Sequence, residues 1–89
     1  MRFEWHRPKA EGNLRKHGIS FDEAVTVFYD PLSATFNDAE NSADEVRLIT
    51  VGYSARGRLL VVAHTKRGAT VRIISARRAT ARERKRHET

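Results

Sequence analysis

The chain has 89 residues, of which 39% are hydrophobic and 8% aromatic, and it carries 17 Lys and Arg against 11 Asp and Glu. That is material for one small domain with one modest core, residues 1–89. The absence of cysteine excludes a disulfide framework and a cysteine-ligated zinc site, and it suits a reducing compartment.

Residues 1–5 alternate, with Phe3 and Trp5 offset from Arg2 and Glu4, and fit a short edge strand. Pro8 suits the first turn of a helix. Ala10, Asn13, Leu14 and His17 then share one helical face, and Gly18 is placed to supply the left-handed residue that ends it. A second helix is announced by Ser20 and Glu23, which have the spacing of a capping box. Its apolar stripe is Phe21, Ala24, Val25 and Phe28, and Asp30-Pro31 stops it.

Four strand signals follow. Residues 32–37 alternate, 38–44 form a polar loop, and 45–53 alternate with Arg47, Ile49 and Val51 on one face. Residues 54–57 make a turn, 59–63 read as a central strand, 66–68 as a hairpin turn and 70–76 as the last strand. Short links between strands predict an antiparallel meander. Thr80 and Glu83 form a second capping box, so a short basic helix starts near Ala81. It has no apolar residue after Ala81 and must be frayed or docked on something. The expected fold class is α+β: two N-terminal helices on a four-stranded, mostly antiparallel sheet, with a short basic C-terminal helix.

The charge is unevenly placed. Residues 1–55 hold six basic and nine acidic side chains, and residues 56–89 hold eleven basic and two acidic. A polyanion or an acidic protein is therefore expected on the C-terminal half. Arg67, Arg78, Arg82, Arg84, Lys85 and Arg86 are the RNA-binding candidates. No apolar run approaches the roughly 20 residues that cross a bilayer. Residues 1–5 lack a signal-peptide stretch. A cytoplasmic protein without a membrane partner is the expectation.

Most acids sit in caps, turns or loops, and the four histidines lack ligand spacing, so no metal site is expected. No phosphate-cradling glycine loop and no nucleophile elbow is present, which sets aside an NTPase, a Rossmann enzyme and a serine hydrolase. Cofactor-free RNA cleavage stays open. In that reaction the 2′-hydroxyl attacks the adjacent phosphate, so the protein must move two protons and stabilise added negative charge.

Arginine forks can do the last task. Arg72 interrupts an apolar strand, sharing a face with Ile74 and Ala76 on simple alternation. Arg47 likewise interrupts its strand. Each either pairs with a carboxylate or lines an anion site. Arg77 lies where the last strand meets the tail. Arg72 and Arg77 are the expected phosphate clamp, with Arg47 as a third candidate. His64 and His87 are the candidate proton carriers, with His17 behind them and His6 on the surface. Glu83 is read as a cap.

Several stretches together resemble a known family: Phe3-Glu4-Trp5, Asn13-Leu14-Arg15-Lys16-His17-Gly18-Ile19-Ser20-Phe21-Asp22-Glu23-Ala24, Phe28-Tyr29-Asp30-Pro31, Glu45-Val46-Arg47, Val51-Gly52, and Arg72-Ile73-Ile74-Ser75-Ala76-Arg77-Arg78-Ala79-Thr80 with Glu83-Arg84. They resemble the BrnT toxins of type II toxin–antitoxin systems over nearly the whole chain. The resemblance implies a RelE-like fold and a metal-independent ribonuclease that arrests translation. It also implies a ribbon-helix-helix antitoxin of the BrnA type, with operator DNA bound only through the complex. His6 stands where the family often has an acid, and His87 stands near a frequent tyrosine. The competing reading is a non-catalytic module that binds nucleic acid or serves as an antitoxin-bound corepressor. No helix-turn-helix spacing supports a DNA-binding protein in its own right.

Overall fold

The structure, a computed structural model, describes residues 1–41 and 45–89. The strands are β1 (Arg2–Trp5), β2 (Ala34–Asn37), β3 (Arg47–Tyr53), β4 (Leu59–Arg67) and β5 (Thr70–Arg78). The helices are α1 (Arg7–His17), α2 (Phe21–Thr26) and α3 (Ala81–Glu88), with 3₁₀ turns at Val27–Tyr29 and Ala39–Asn41. The loop expected at 38–44 lies partly outside the described residues. Among the described residues no helix is long and apolar enough to cross a membrane.

The α+β class holds, but the sheet has five strands rather than four, in the order β1-β5-β4-β3-β2. The meander from β2 to β5 is antiparallel as expected. The fifth strand is β1, which pairs in parallel with β5 and makes the sheet mixed. Its pairing partner is nearly seventy residues away, so local sequence contains the alternation but not the neighbour.

Alternation gives the sheet two different faces. Leu60, Val62, Val71, Ile73 and Ala76 meet Ile19, Phe21, Ala24 and Val27 in the main core, with Phe3, Trp5, Ala10 and Phe28 packed around it. The opposite face carries a smaller cluster of Val51, Leu59 and Val61, flanked by Ile49, Tyr53 and Ala79. α1 and α2 cover the first face and α3 lies on the second.

A bulge in β5 decides which arginines share a face. Ala63 pairs with Ser75 while His64 pairs with Ile73, leaving Ile74 as the extra residue. Ala76 therefore returns to the core face, where it is fully buried. This corrects the simple alternation: Arg72 does not share a face with Ala76, and Arg77 joins Arg72 on the open side.

Polar clips tie the layers together. Asn13 is buried; its Nδ2 donates to the carbonyls of Ile19 (2.9 Å) and Ala76 (2.8 Å), and its Oδ1 accepts from the Ala76 N–H (3.1 Å). Ser20 caps α2 by accepting from the Glu23 N–H. Glu23 does not reach back to complete the expected box. Its carboxylate turns inward to Arg58 and to the Ser54 hydroxyl, and the Arg58 guanidinium holds it below the usual carboxylate range. Glycine at 52 allows β3 to run against the segment after α2. A Cβ there would come within 2.8 Å of Ser33 Cβ. That approach lets the Tyr53 N–H donate to Asp30 Oδ2 at 2.8 Å.

Candidate active site

The C-terminal helix is docked rather than frayed, although none of its residues is buried. Thr80 and Glu83 complete their capping box. The same Glu83 carboxylate accepts two bonds from Arg77, Nη1 to Oε1 at 2.8 Å and Nη2 to Oε2 at 2.9 Å. This fork–fork pair holds α3 against the end of β5 and pulls the Glu83 pKa down to about 2. At the other end of α3, the Tyr53 hydroxyl donates to Glu88 and the Tyr53 ring meets His87 edge-on at 6.1 Å.

Between α3 and the sheet edge lies a groove of about 530 Å³. Its floor is apolar: Ala34 and Phe36 of β2, Ile49 and Val51 of β3, and Val61 of β4. Its rim is polar: Arg77 of β5, Glu83, Arg86 and His87 of α3, and Asp38 beyond β2. Two guanidiniums and an imidazole, with the carboxylates of Glu83 and Asp38 beside them, thus face an apolar trough. That arrangement can hold an anion at the rim and a flat apolar body on the floor.

The sequence candidates fall into four groups. Arg77, Arg86 and His87 come together at the groove. Arg47 and Arg72 lie on the same sheet face, in one cross-strand row with Thr65 between them. Arg72 donates to Glu4 at 2.7 Å. Across the bulge it stands four rungs of the β4 ladder from Arg77, about 13 Å at roughly 3.3 Å per residue. Arg72 is turned to Glu4 and Arg77 to Glu83, so the two guanidiniums do not converge as the expected Arg72–Arg77 clamp. Arg67, at the same end, pairs with Glu45 at 3.3 Å. Arg78, Arg82, Arg84 and Lys85 are exposed at the end of β5 and along α3, with Arg84 reaching the Tyr53 hydroxyl.

His64 and His17 are not at the groove. His64 is 3% exposed on the helix-covered face, against Phe28 at a centroid distance of 4.9 Å. Its Nε2 lies 2.8 Å from Thr50 Oγ1, and its Nδ1 has no partner among the described residues. Burial pushes its pKa down to about 4. His17 ends α1, in the layer on the other side of the sheet from α3. Each has its own cause: alternation sends even-numbered β4 residues such as His64 into the core, and His17 ends a helix that lies on the core side.

Tyr53 and Phe36 appear in the sequence only as strand residues. Their signal was present, since each shares strand parity with Arg47 or Ala34 on the open face. Without α3 placed there, nothing marked that face as a site.

The comparisons agree with this architecture. The family model for the ribonuclease toxin BrnT of type II toxin–antitoxin systems matches residues 5–83. The 1.1 Å crystal structure of the Brucella abortus ribonuclease toxin BrnT matches with a TM-score of 0.70 and 25% sequence identity, over 90% of this chain and 97% of that one. No curated protein matches the sequence. With the matched segment spanning β5 and the groove arginine Arg77, the chain belongs to the BrnT family of ribonuclease toxins of type II toxin–antitoxin systems.

Proposed function

We propose that this toxin is a metal-independent endoribonuclease that cleaves RNA at the groove beneath α3, inhibits translation, and is neutralised in the cytoplasm by a BrnA-like ribbon-helix-helix antitoxin. The observation that carries the reading is the meeting of Arg77, Arg86 and His87 on the rim of one apolar-floored groove. In the reaction the 2′-hydroxyl loses its proton and attacks the adjacent phosphorus. The bond to the 5′-oxygen breaks, that oxygen takes up a proton, and a 2′,3′-cyclic phosphate remains. His87 is the imidazole placed to carry a proton. Arg77 and Arg86 stabilise the charge that builds on the phosphate oxygens.

The Arg77–Glu83 pair supports this role. A phosphate presents the same two-oxygen edge that Glu83 presents to the guanidinium, so it can replace the carboxylate without rebuilding the fork. The exposed Arg78, Arg82, Arg84 and Lys85 add sequence-independent affinity for the RNA backbone. Arg47, Arg67 and Arg72 extend the basic track along the same face. The antitoxin is expected to present acidic side chains to α3, because complementary charge sets encounter rate and register. Operator DNA is then bound through the antitoxin and not by this chain.

The test is incubation of the purified chain with a short RNA in excess chelator. The expected result is cleavage that leaves a 2′,3′-cyclic phosphate, with no cleavage where the scissile ribose is 2′-deoxy. A requirement for added metal, or cleavage at the deoxy position, would overturn the mechanism. RNA binding with no cleavage would favour the corepressor reading.

A further inference from the structure

Three of the four phenylalanines have packing roles. Phe21 is buried, and Phe3 and Phe28 pack against the main core. Phe36 is different: it is 53% exposed and belongs to neither apolar cluster of the described residues. It lies on β2, an edge strand whose four residues are all exposed. Among the exposed large hydrophobics of the described residues it is the one that lines the groove, so its ring is open to a flat ligand there. Phe36 is register-paired with Ile49, and both lie on the groove floor opposite a rim that carries Arg77, Arg86 and His87 together with the carboxylates of Glu83 and Asp38.

We propose that the groove is a subsite for one unstacked nucleobase of single-stranded RNA, stacked on Phe36 with its phosphate turned toward Arg77 and Arg86. This rests on the ribonuclease reading above. A nucleotide out of a duplex is a flat π-body with an anion at one end. The groove offers those two features in the same order, an apolar floor with one aromatic ring and then two guanidiniums, of which Arg77 exchanges Glu83 for the phosphate. Its volume of about 530 Å³ is within the range of small-ligand sites. Acidic side chains alone would match the two arginines and leave the Phe36 floor unused. Stacking uses a face that every base has, so the subsite sets geometry rather than sequence: it holds the base so that the adjacent phosphate sits at the rim.

The experiment measures binding of a fluorescein-labelled short 2′-O-methyl oligoribonucleotide, which cannot be cleaved, by anisotropy. Phe36→Ala should weaken the Kd by about 5- to 100-fold, the range for one base–aromatic stack. Phe36→Trp should retain affinity. Phe36→Leu, which keeps apolar area without a π face, should not. An abasic position in the oligonucleotide should remove the difference between the native chain and Phe36→Ala. Equal Kd values for the native chain, Phe36→Ala and Phe36→Leu would overturn the subsite and leave the ribonuclease reading standing. No binding by the native chain would overturn both. Unchanged RNA affinity in Phe36→Ala with lost antitoxin binding would make the groove a protein-docking face instead. Should Phe36→Ala fail to fold, the contrast between Phe36→Leu and Phe36→Trp decides the matter.

Discussion

His64 and His87 are the same side chain on opposite faces of one sheet. His64 is enclosed between Phe28 and Thr50, and burial holds it neutral well below the usual imidazole range. His87 stands on α3 beside Tyr53 at a groove rim shared with two arginines. The covered face places its polar groups in fixed internal bonds, as Asn13 and Glu23 also show. The open face leaves charge beside a trough. A titratable residue is therefore read by the face it occupies before its type is considered.

Four changes probe that contrast. The largest effect is expected on the covered face. Asn13→Ala orphans the carbonyls of Ile19 and Ala76 and the Ala76 N–H. At about 1–3 kcal/mol for each unsatisfied buried group, partly re-solvated, the loss should be about 3–5 kcal/mol. Urea unfolding measures it, and RNA cleavage at a permissive temperature should be unchanged. A loss below about 1 kcal/mol would show that the clip is dispensable.

Next is Arg77→Ala on the open face. Cleavage should fall by about 10²- to 10³-fold, as for loss of one charge-stabilising donor. The core should remain, because Arg77 is outside both apolar clusters. Arg77→Lys should recover only part of the rate, since lysine keeps the charge and loses the fork. Full activity in Arg77→Ala would confine Arg77 to anchoring α3.

The third uses pH. Burial lowers the folded-state pKa of His64 from 6.5 to about 4. Between those values the unfolded chain binds a proton that the folded chain refuses, so stability falls as pH drops from about 6.5 to 4. The shift corresponds to on the order of 3 kcal/mol. His64→Leu should flatten that segment of the curve. Below about pH 4.5 the lowered carboxylates of Glu23, Asp30 and Glu83 add their own loss, which the variant should keep. An identical slope above pH 4.5 in both proteins would assign the effect elsewhere.

The smallest change is Tyr53→Phe, which removes one exposed hydroxyl bond to Glu88. Amide exchange near the end of α3 should quicken a few-fold, with the sheet unaffected. No change would show that the hydroxyl bond does not hold the end of α3.

Local chemistry made much of the fold legible. Gly18 adopts φ +70° after α1 and Gly57 and Gly68 adopt positive φ in the two turns, because those bends need conformations that favour glycine. The basic C-terminal third and the Thr80–Glu83 cap were equally plain, since charge and capping depend on neighbours in sequence. Two identical motifs mark the limit. Ser20-x-x-Glu23 and Thr80-x-x-Glu83 have the same pattern, yet Glu23 leaves its cap for Arg58, 35 residues away, while Glu83 serves both cap and Arg77. The choice depends on which guanidinium the fold brings near.

Composition, charge and periodicity determined the α+β class, the antiparallel meander and the basic surface, all of which arise from interactions within a few residues. Tertiary structure alone decided that β1 joins β5, that the bulge at Ile74 puts Arg72 and Arg77 on one face, that His64 is buried, and that α3 closes a groove over Phe36. Each of those outcomes depends on contacts between residues far apart in the chain, whose energies exist only once the sheet has formed and its two faces are distinct.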